Sequence, residues 1–373
     1  MTSFVRERRT PFSAAIHLWL GLVAGAVLAL AGLTGSYLAF YVQIERALMP
    51  GLDGARGVEP SSLEDVYRAF RRLTPEDEGS WNIEVPRNGG VLTARYSSDT
   101  TQPLRMVSLD PRTFEVVRDV SWGSTFSTWL YEIHYALLMG PAGEALMGLI
   151  GLLIVVMLAA GLFRWWTLGR NAWGRFSFSL RGPPARRNYN LHRVLGLSTA
   201  AILILLAATA TAMNLPRQFD SVLELFSPIS PPPRPTSRPA THAARISVDR
   251  AVNIAYRRFP DAELKWVQVP NTPDGAYAVR LRQPGEPGKR FPRTYVWIDQ
   301  YSGHVLAVQD GLQGTLSDKI LRWLYPLHSG DVLGLPGRIL VCIIGLMPAL
   351  LYITGFIRWR HKQRARSPSR SAS

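Results

Sequence analysis

The sequence predicts an α-helical membrane protein: four transmembrane helices forming two parallel repeats related by a pseudo-twofold, with two external α+β domains. Three observations predict it. The chain has four long apolar runs without charge, its excess basic residues gather in three short segments, and a set of residue identities recurs at one fixed spacing.

The uncharged runs are Ala14–Val42, Ala145–Phe163, Val194–Met213 and Ile339–Ile357. A helix rises about 1.5 Å per residue, so each run can cross a hydrocarbon core about 30 Å thick. A soluble core helix rarely stays free of Asp, Glu, Lys and Arg for so long. The first run also exceeds the apolar stretch of a signal peptide, about 7–15 residues, and no small-residue cleavage site precedes Gln43-Ile44-Glu45-Arg46. It is therefore read as a retained span.

Charge sets the orientation. The formal net charge is +15, and segments 1–10, 164–193 and 358–373 hold 16 basic residues against one acid, Glu7. The remainder balances 26 basic with 26 acidic residues, so those segments carry the whole excess. The positive-inside rule assigns them to the cytoplasm. Because topology accounts for the basicity, nucleic-acid binding loses its main support.

In order, the chain then reads as a cytoplasmic N-terminus (1–13), a first span (14–42), a first external domain (43–130) and an interfacial segment (131–143). A second span (144–166), a basic cytoplasmic loop (167–191) and a third span (192–214) follow. A second external domain with a proline-rich lead (215–318), a second interfacial segment (319–335), a fourth span (336–358) and a basic cytoplasmic tail (359–373) complete it.

Both external segments combine helical spacing with alternation. The first offers "SSLEDVYRAFRRL" as an amphipathic helix, then "WNIEVP", "GGVLTARY" and "LRMVSLDPRTFEVV" as strands. The second offers "ISVDRAVNIAYRRF" as a helix, then "LKWVQVP", "GAYAVRLR" and "RTYVWIDQYSGHVLAV" as strands. Each is expected to be one helix over a small antiparallel sheet. Pro231, Pro232, Pro233, Pro235 and Pro239 form a stiff lead into the second, with no counterpart in the first.

The shared order of elements is a repeat. Trp129, Leu130, Tyr131, His134, Gly161, Arg164 and Trp165 match Trp323, Leu324, Tyr325, His328, Gly355, Arg358 and Trp359, every pair offset by 194. His17 in "HLWLGL" corresponds to His192 in "HRVLGL" at the start of an odd-numbered span. Both halves leave the cytoplasm and return to it, so the repeats are parallel, with a pseudo-twofold along the membrane normal.

Four of the seven histidines belong to this repeat: His17 and His192 at the cytoplasmic ends of spans, His134 and His328 at the external ends. An imidazole at membrane depth can carry protons, bind a metal or serve as a satisfied hydrogen-bonding group. Between the two histidine layers lie only scattered Thr, Ser and Tyr37, too few titratable groups for a proton relay. A pseudo-twofold sets equivalent residues across the axis, so His17 can face His192 and His134 can face His328. Such pairs form an axial clamp for a flat metallocycle, whereas a bare zinc ion would ask for further Cys, Asp or Glu. Two non-covalent haems, one per leaflet, fit this pattern. Cys342 is the only cysteine, which excludes disulfides, four-cysteine iron–sulfur clusters and covalent C-x-x-C-H haem. Arg193, beside His192, can pair with haem propionates or anchor the topology. Trp129, Trp165, Trp323 and Trp359 fit an aromatic belt. His242, His304 and His361 have no repeat counterparts and receive no cofactor role.

"ISVDRAVNIAYRRFPDAE" followed by "VWIDQYSGHVLAV" resembles a PepSY domain, and "LHRVLGL", "WLYPLHSG" and "GFIRWR" resemble signatures of the PepSY-associated transmembrane family. The likeness runs from His17 to Arg360. In the first domain "VSLDPRTFEVV" matches more loosely, with Phe114 where the bend usually has glycine. Within this family the chain is similar to inner-membrane ferric-siderophore reductases of the FoxB type. That resemblance implies two haem b groups on His17, His134, His192 and His328, electron flow outward, and reduction of siderophore-bound ferric iron in the periplasm of a bacterium. No nucleotide fingerprint occurs, so the electron donor is expected to be quinol or a separate reductase. Two other classes stay open: a module that binds a peptide or protease through PepSY-like domains, without redox activity, and a transporter, which would need polar or broken helices at mid-membrane.

Overall fold

The computed structural model describes residues 12–52, 57–74, 79–86, 89–97, 104–166, 182–238 and 244–364. The far N- and C-terminal segments, most of the basic loop expected at 167–191, and His242 lie outside the described residues. The chain forms two compact units, exchanging between them after Ala39, Tyr131, Pro216 and Gly334.

The first unit is a helical bundle of α1 (Phe12–Leu38), α5 (Gly140–Trp166), α6 (Pro184–Asn214) and α10 (Leu335–Arg364). All four are long and apolar enough to cross a membrane, and the protein is a membrane protein. α1 stops four residues short of the expected span, because Phe40 leaves helical geometry and α2 (Tyr41–Leu48) begins a new helix. α1 and α6 each pack against both α5 and α10. Their shared core is small and apolar, with Ala24, Met157, Leu158, Leu203, Ala207 and Ile344 buried. Val23, Leu149, Leu152, Ile343 and Ile353 point outward, as lipid allows and water would penalise. α1 and α10 approach at backbone distance: a Cβ on Gly32 would run into the Gly345 carbonyl. Ser36 Oγ, 2.8 Å from both the Cys342 and the Gly32 carbonyl oxygens, donates across and along this seam. Small residues and a hydroxyl are what close helix packing in a bilayer requires.

The second unit holds one antiparallel sheet of eight strands, in the order β4-β3-β2-β1-β5-β6-β7-β8. β1 (Ser80–Glu84), β2 (Leu92–Ser97), β3 (Arg105–Leu109) and β4 (Val116–Ser121) form one meander, and β5 (Glu263–Val269), β6 (Ala276–Arg282), β7 (Thr294–Asp299) and β8 (Val305–Gln309) the other. The expected strands all form, yet the two small sheets are halves of a single one. β1 and β5 pair antiparallel, with Trp81 opposite Val269 and Glu84 opposite Trp266. α3 (Leu63–Arg72) and α8 (Val248–Arg258) cover one face, over a core that includes Phe70, Trp81, Ile83, Tyr277 and Ile298.

The starts of these two helices cap each other. Ser62 and Ser247 are the N-caps. Asp249 accepts from Ser62 Oγ at 2.7 Å, Leu63 N at 2.8 Å and Glu64 N at 3.1 Å, while Glu64 accepts from Val248 N at 2.9 Å. Each carboxylate thus meets the other helix's orphan N–H groups and its positive dipole end. α7 (Pro216–Glu224) and α9 (Leu316–Ser329) also belong to this unit. α4 (Phe126–Ala136) bridges the Tyr131 exchange point.

Candidate functional site

Histidine sits where the bundle helices expose their own carbonyls. In α1, His17 Nδ1 lies 3.0 Å from the Met157 carbonyl oxygen of α5. In α6, His192 Nδ1 lies 3.0 Å from the Leu351 carbonyl oxygen of α10 and 2.9 Å from Thr354 Oγ1. In α4, His134 Nδ1 lies 3.0 Å from the Ala31 carbonyl oxygen of α1 and 3.1 Å from Thr34 Oγ1. The three arrangements have one local cause. A glycine follows each carbonyl by one turn, and a Cβ there would crowd the ring: Gly161 at 3.0 Å from His17 Cε1, Gly355 at 3.3 Å from His192 Cε1, Gly35 at 2.8 Å from His134 Cε1. The missing side chain leaves room for imidazole over the helix backbone without displacing the ring.

The partners fix the tautomer. A carbonyl only accepts, so Nδ1 carries the hydrogen. Thr354 and Thr34 point their own hydroxyl hydrogens at the carbonyls of Leu350 and Leu30, so they too accept from Nδ1. A neutral imidazole protonated at Nδ1 keeps its lone pair on Nε2, the form that ligates a metal, and the Nδ1 contact orients the ring.

His17 and His192 come together, with ring centres 6.2 Å apart and planes crossing at 78°. Neither Nε2 has a hydrogen-bond partner among the described residues. No group of three or more His, Cys, Asp or Glu converges among the described residues. Two facing imidazoles can hold a metal that brings its remaining donors with it. His134 belongs to the bundle and His328 to the sheet-bearing unit. His328 is half-buried at the penultimate position of α9, just before the left-handed cap Gly330.

Beside His192, Arg193 stacks over Tyr189 at 5.6 Å, and Arg358 lies over the same ring at 4.3 Å. Arg193 Nε and Trp359 Nε1 are buried without an acceptor among the described residues. His304 and His361 are exposed, and Trp129 and Trp323 are a little under half exposed. Sequence reasoning missed the threonines and Gly35. Gly161 and Gly355 were visible as identities at the 194 offset, but nothing in the spacing said that they make room for imidazole.

The family model describing the PepSY-associated TM region matches residues 14–362. No curated protein matches the chain. The match covers the bundle helices, the histidines and the eight-stranded sheet alike, and the chain belongs to the PepSY-associated transmembrane family.

Proposed function

We propose that this protein is a di-haem electron-transfer protein of the bacterial cytoplasmic membrane that reduces ferric iron, bound to a siderophore, on the periplasmic side. In this reading both termini are cytoplasmic, the sheet-bearing unit is periplasmic, and the chain is two parallel repeats about a pseudo-twofold. His17 with His192 holds one haem b, and His134 with His328 holds the other.

The observation that carries the reading is the shared tautomer lock. His17, His134 and His192 each give Nδ1–H to a main-chain carbonyl, and Nε2 of His17 and of His192 has no hydrogen-bond partner among the described residues. With ring centres 6.2 Å apart, His17 and His192 would be the residues to hold a cofactor-bound metal between them. The orphan donors Arg193 Nε and Trp359 Nε1 suit the acidic side groups of such a cofactor. Met157 and Leu351, which receive the two cytoplasmic histidines, stand 194 positions apart, the same offset as the sequence identities, which supports the repeat.

When bound, b-type haem supplies reversible one-electron chemistry. The residues described here orient the imidazoles through their Nδ1 contacts. A siderophore built for hard Fe³⁺ holds Fe²⁺ far less tightly, so one electron per complex loosens the iron. The electron comes from quinol or a separate reductase.

The test is optical and chemical. Protein purified from haem-replete cells should show Soret and α bands that sharpen on reduction. The reduced protein, mixed anaerobically with a ferric siderophore, should reoxidise while a ferrous-specific chelator captures iron. A colourless preparation, or reduced protein that stays reduced, contradicts the proposal.

A further inference from the structure

The sheet face opposite α3 and α8 carries basic and aromatic residues where a second apolar core would be expected. Arg95 on β2 and Arg280 on β6 flank the β1–β5 seam, and Arg290 follows β6 in the chain. Register places them: Arg95 lies opposite Asn82, and Trp266 lies opposite both Glu84 and Arg280. Arg95 is stacked over Trp266 at 4.9 Å and Trp122 at 5.8 Å. Arg280 lies over Tyr295 at 4.9 Å and Phe291 at 5.6 Å, and Arg290 over Tyr41 at 5.3 Å.

Arg95 and Arg280 are poorly compensated, whereas for Arg290 nearby Tyr41 and Glu84 outweigh burial and raise its pKa. None of the three has a carboxylate within ion-pair distance among the described residues. Arg95 has no hydrogen-bond acceptor among them, and its Nε is buried without a partner. Arg280 Nε donates only to the Pro292 carbonyl, at 2.7 Å. Glu286, the nearby acid, is already committed to Thr294 Oγ1 and to the backbone N–H groups of Gln283 and Arg293. Burial, followed by repulsion from Arg290, lowers the pKa of Arg95, and burial lowers that of Arg280. All three residues keep partial exposure. Guanidinium held against flat rings, with donors left over on Arg95 and Arg280, presents the geometry that captures carboxylates in pairs of hydrogen bonds.

We propose that Arg95, Arg280 and Arg290, with Trp266 between them, form a binding site for a carboxylate-bearing ligand. Within the proposed function, on which this inference rests for its biological meaning, the carboxylates belong either to an anionic ferric chelate or to the propionates of a haem. The first source makes the substrate class a carboxylate chelate with net negative charge.

The experiment uses the full-length protein in detergent, with haem content measured first, and titrates redox-inert gallium(III) citrate by calorimetry. The expected result is binding that weakens with added salt and falls about tenfold or more in Arg95→Gln and in Arg280→Gln. Arg258→Gln, on α8 across the sheet, should bind as the parent does, and Arg95→Lys should recover part of the loss. If citrate does not bind, but Arg95→Gln or Arg280→Gln loses haem or shifts a haem midpoint potential, the site stands with the propionate as its carboxylate. Citrate binding and haem properties both indifferent to Arg95→Gln and Arg280→Gln would overturn it. Arginine-dependent citrate binding in a preparation without haem would leave the anion site intact and remove the electron-transfer reading instead.

Discussion

At the scale of residues, the histidines matter through the hydrogen that each Nδ1 gives away. A carbonyl partner selects one tautomer and one ring orientation, and a glycine one turn along makes the approach possible. Gly161→Val should therefore displace His17 from the Met157 carbonyl and lower haem retention by about one equivalent per chain, measured by pyridine haemochrome. Unchanged content would mean that the ring does not need this seat. The histidine positions stood out in the sequence, because His134 and His328 share the 194-residue offset and His17 and His192 open similar motifs. Thr34 and Thr354 were not, since a threonine in an apolar helix usually bonds back to its own helix, as these do, and its second role needs the neighbouring helix in place.

At the scale of elements, two bends show how one backbone tolerates different residues. Asp110 and Asp299 each turn the chain by accepting from N–H groups two and three residues on. The position four residues after each is left-handed, Phe114 at φ 58° and Gly303 at φ 77°. The sequence flagged Phe114 as the departure, and the bend keeps its shape because Phe114 packs against the core. At Gly303 a Cβ would lie 3.1 Å from Ile254 Cδ1. Gly303→Ala should cost about 1–2 kcal/mol, read from thermal unfolding of the sheet by circular dichroism. The reciprocal caps make a second prediction. Burial alone would raise Asp249, but hydrogen bonds from Ser62, Leu63 and Glu64 outweigh it and hold the carboxyl below its ordinary value. A depressed folded pKa contributes stability that is complete above the unfolded value, about 4, and is lost as pH falls through the folded value. Unfolding temperature should thus hold from pH 7 to pH 5 and drop below pH 4. Asp249→Ala should lose about 1–2 kcal/mol at pH 7 and show a shallower acid decline.

At the scale of the whole molecule, spans and strands could be read from periodicity because each is a local pattern. The continuous sheet could not. Whether β1 pairs with β5 depends on two edges some 180 residues apart in the chain meeting in register, and alternation within a strand says nothing about which edge it meets. The same limit hid the arginine face, since Arg95 and Arg280 gain meaning only once β1 and β5 lie between them.

The central claim is that two histidine pairs each hold one haem, and cofactor stoichiometry tests it most directly. Pyridine haemochrome assays on purified wild type, His17→Ala, His328→Ala and the double variant should give two, one, one and no haems per chain. Equal haem content across all four proteins, or one substitution abolishing both haems in a folded protein, would contradict the account.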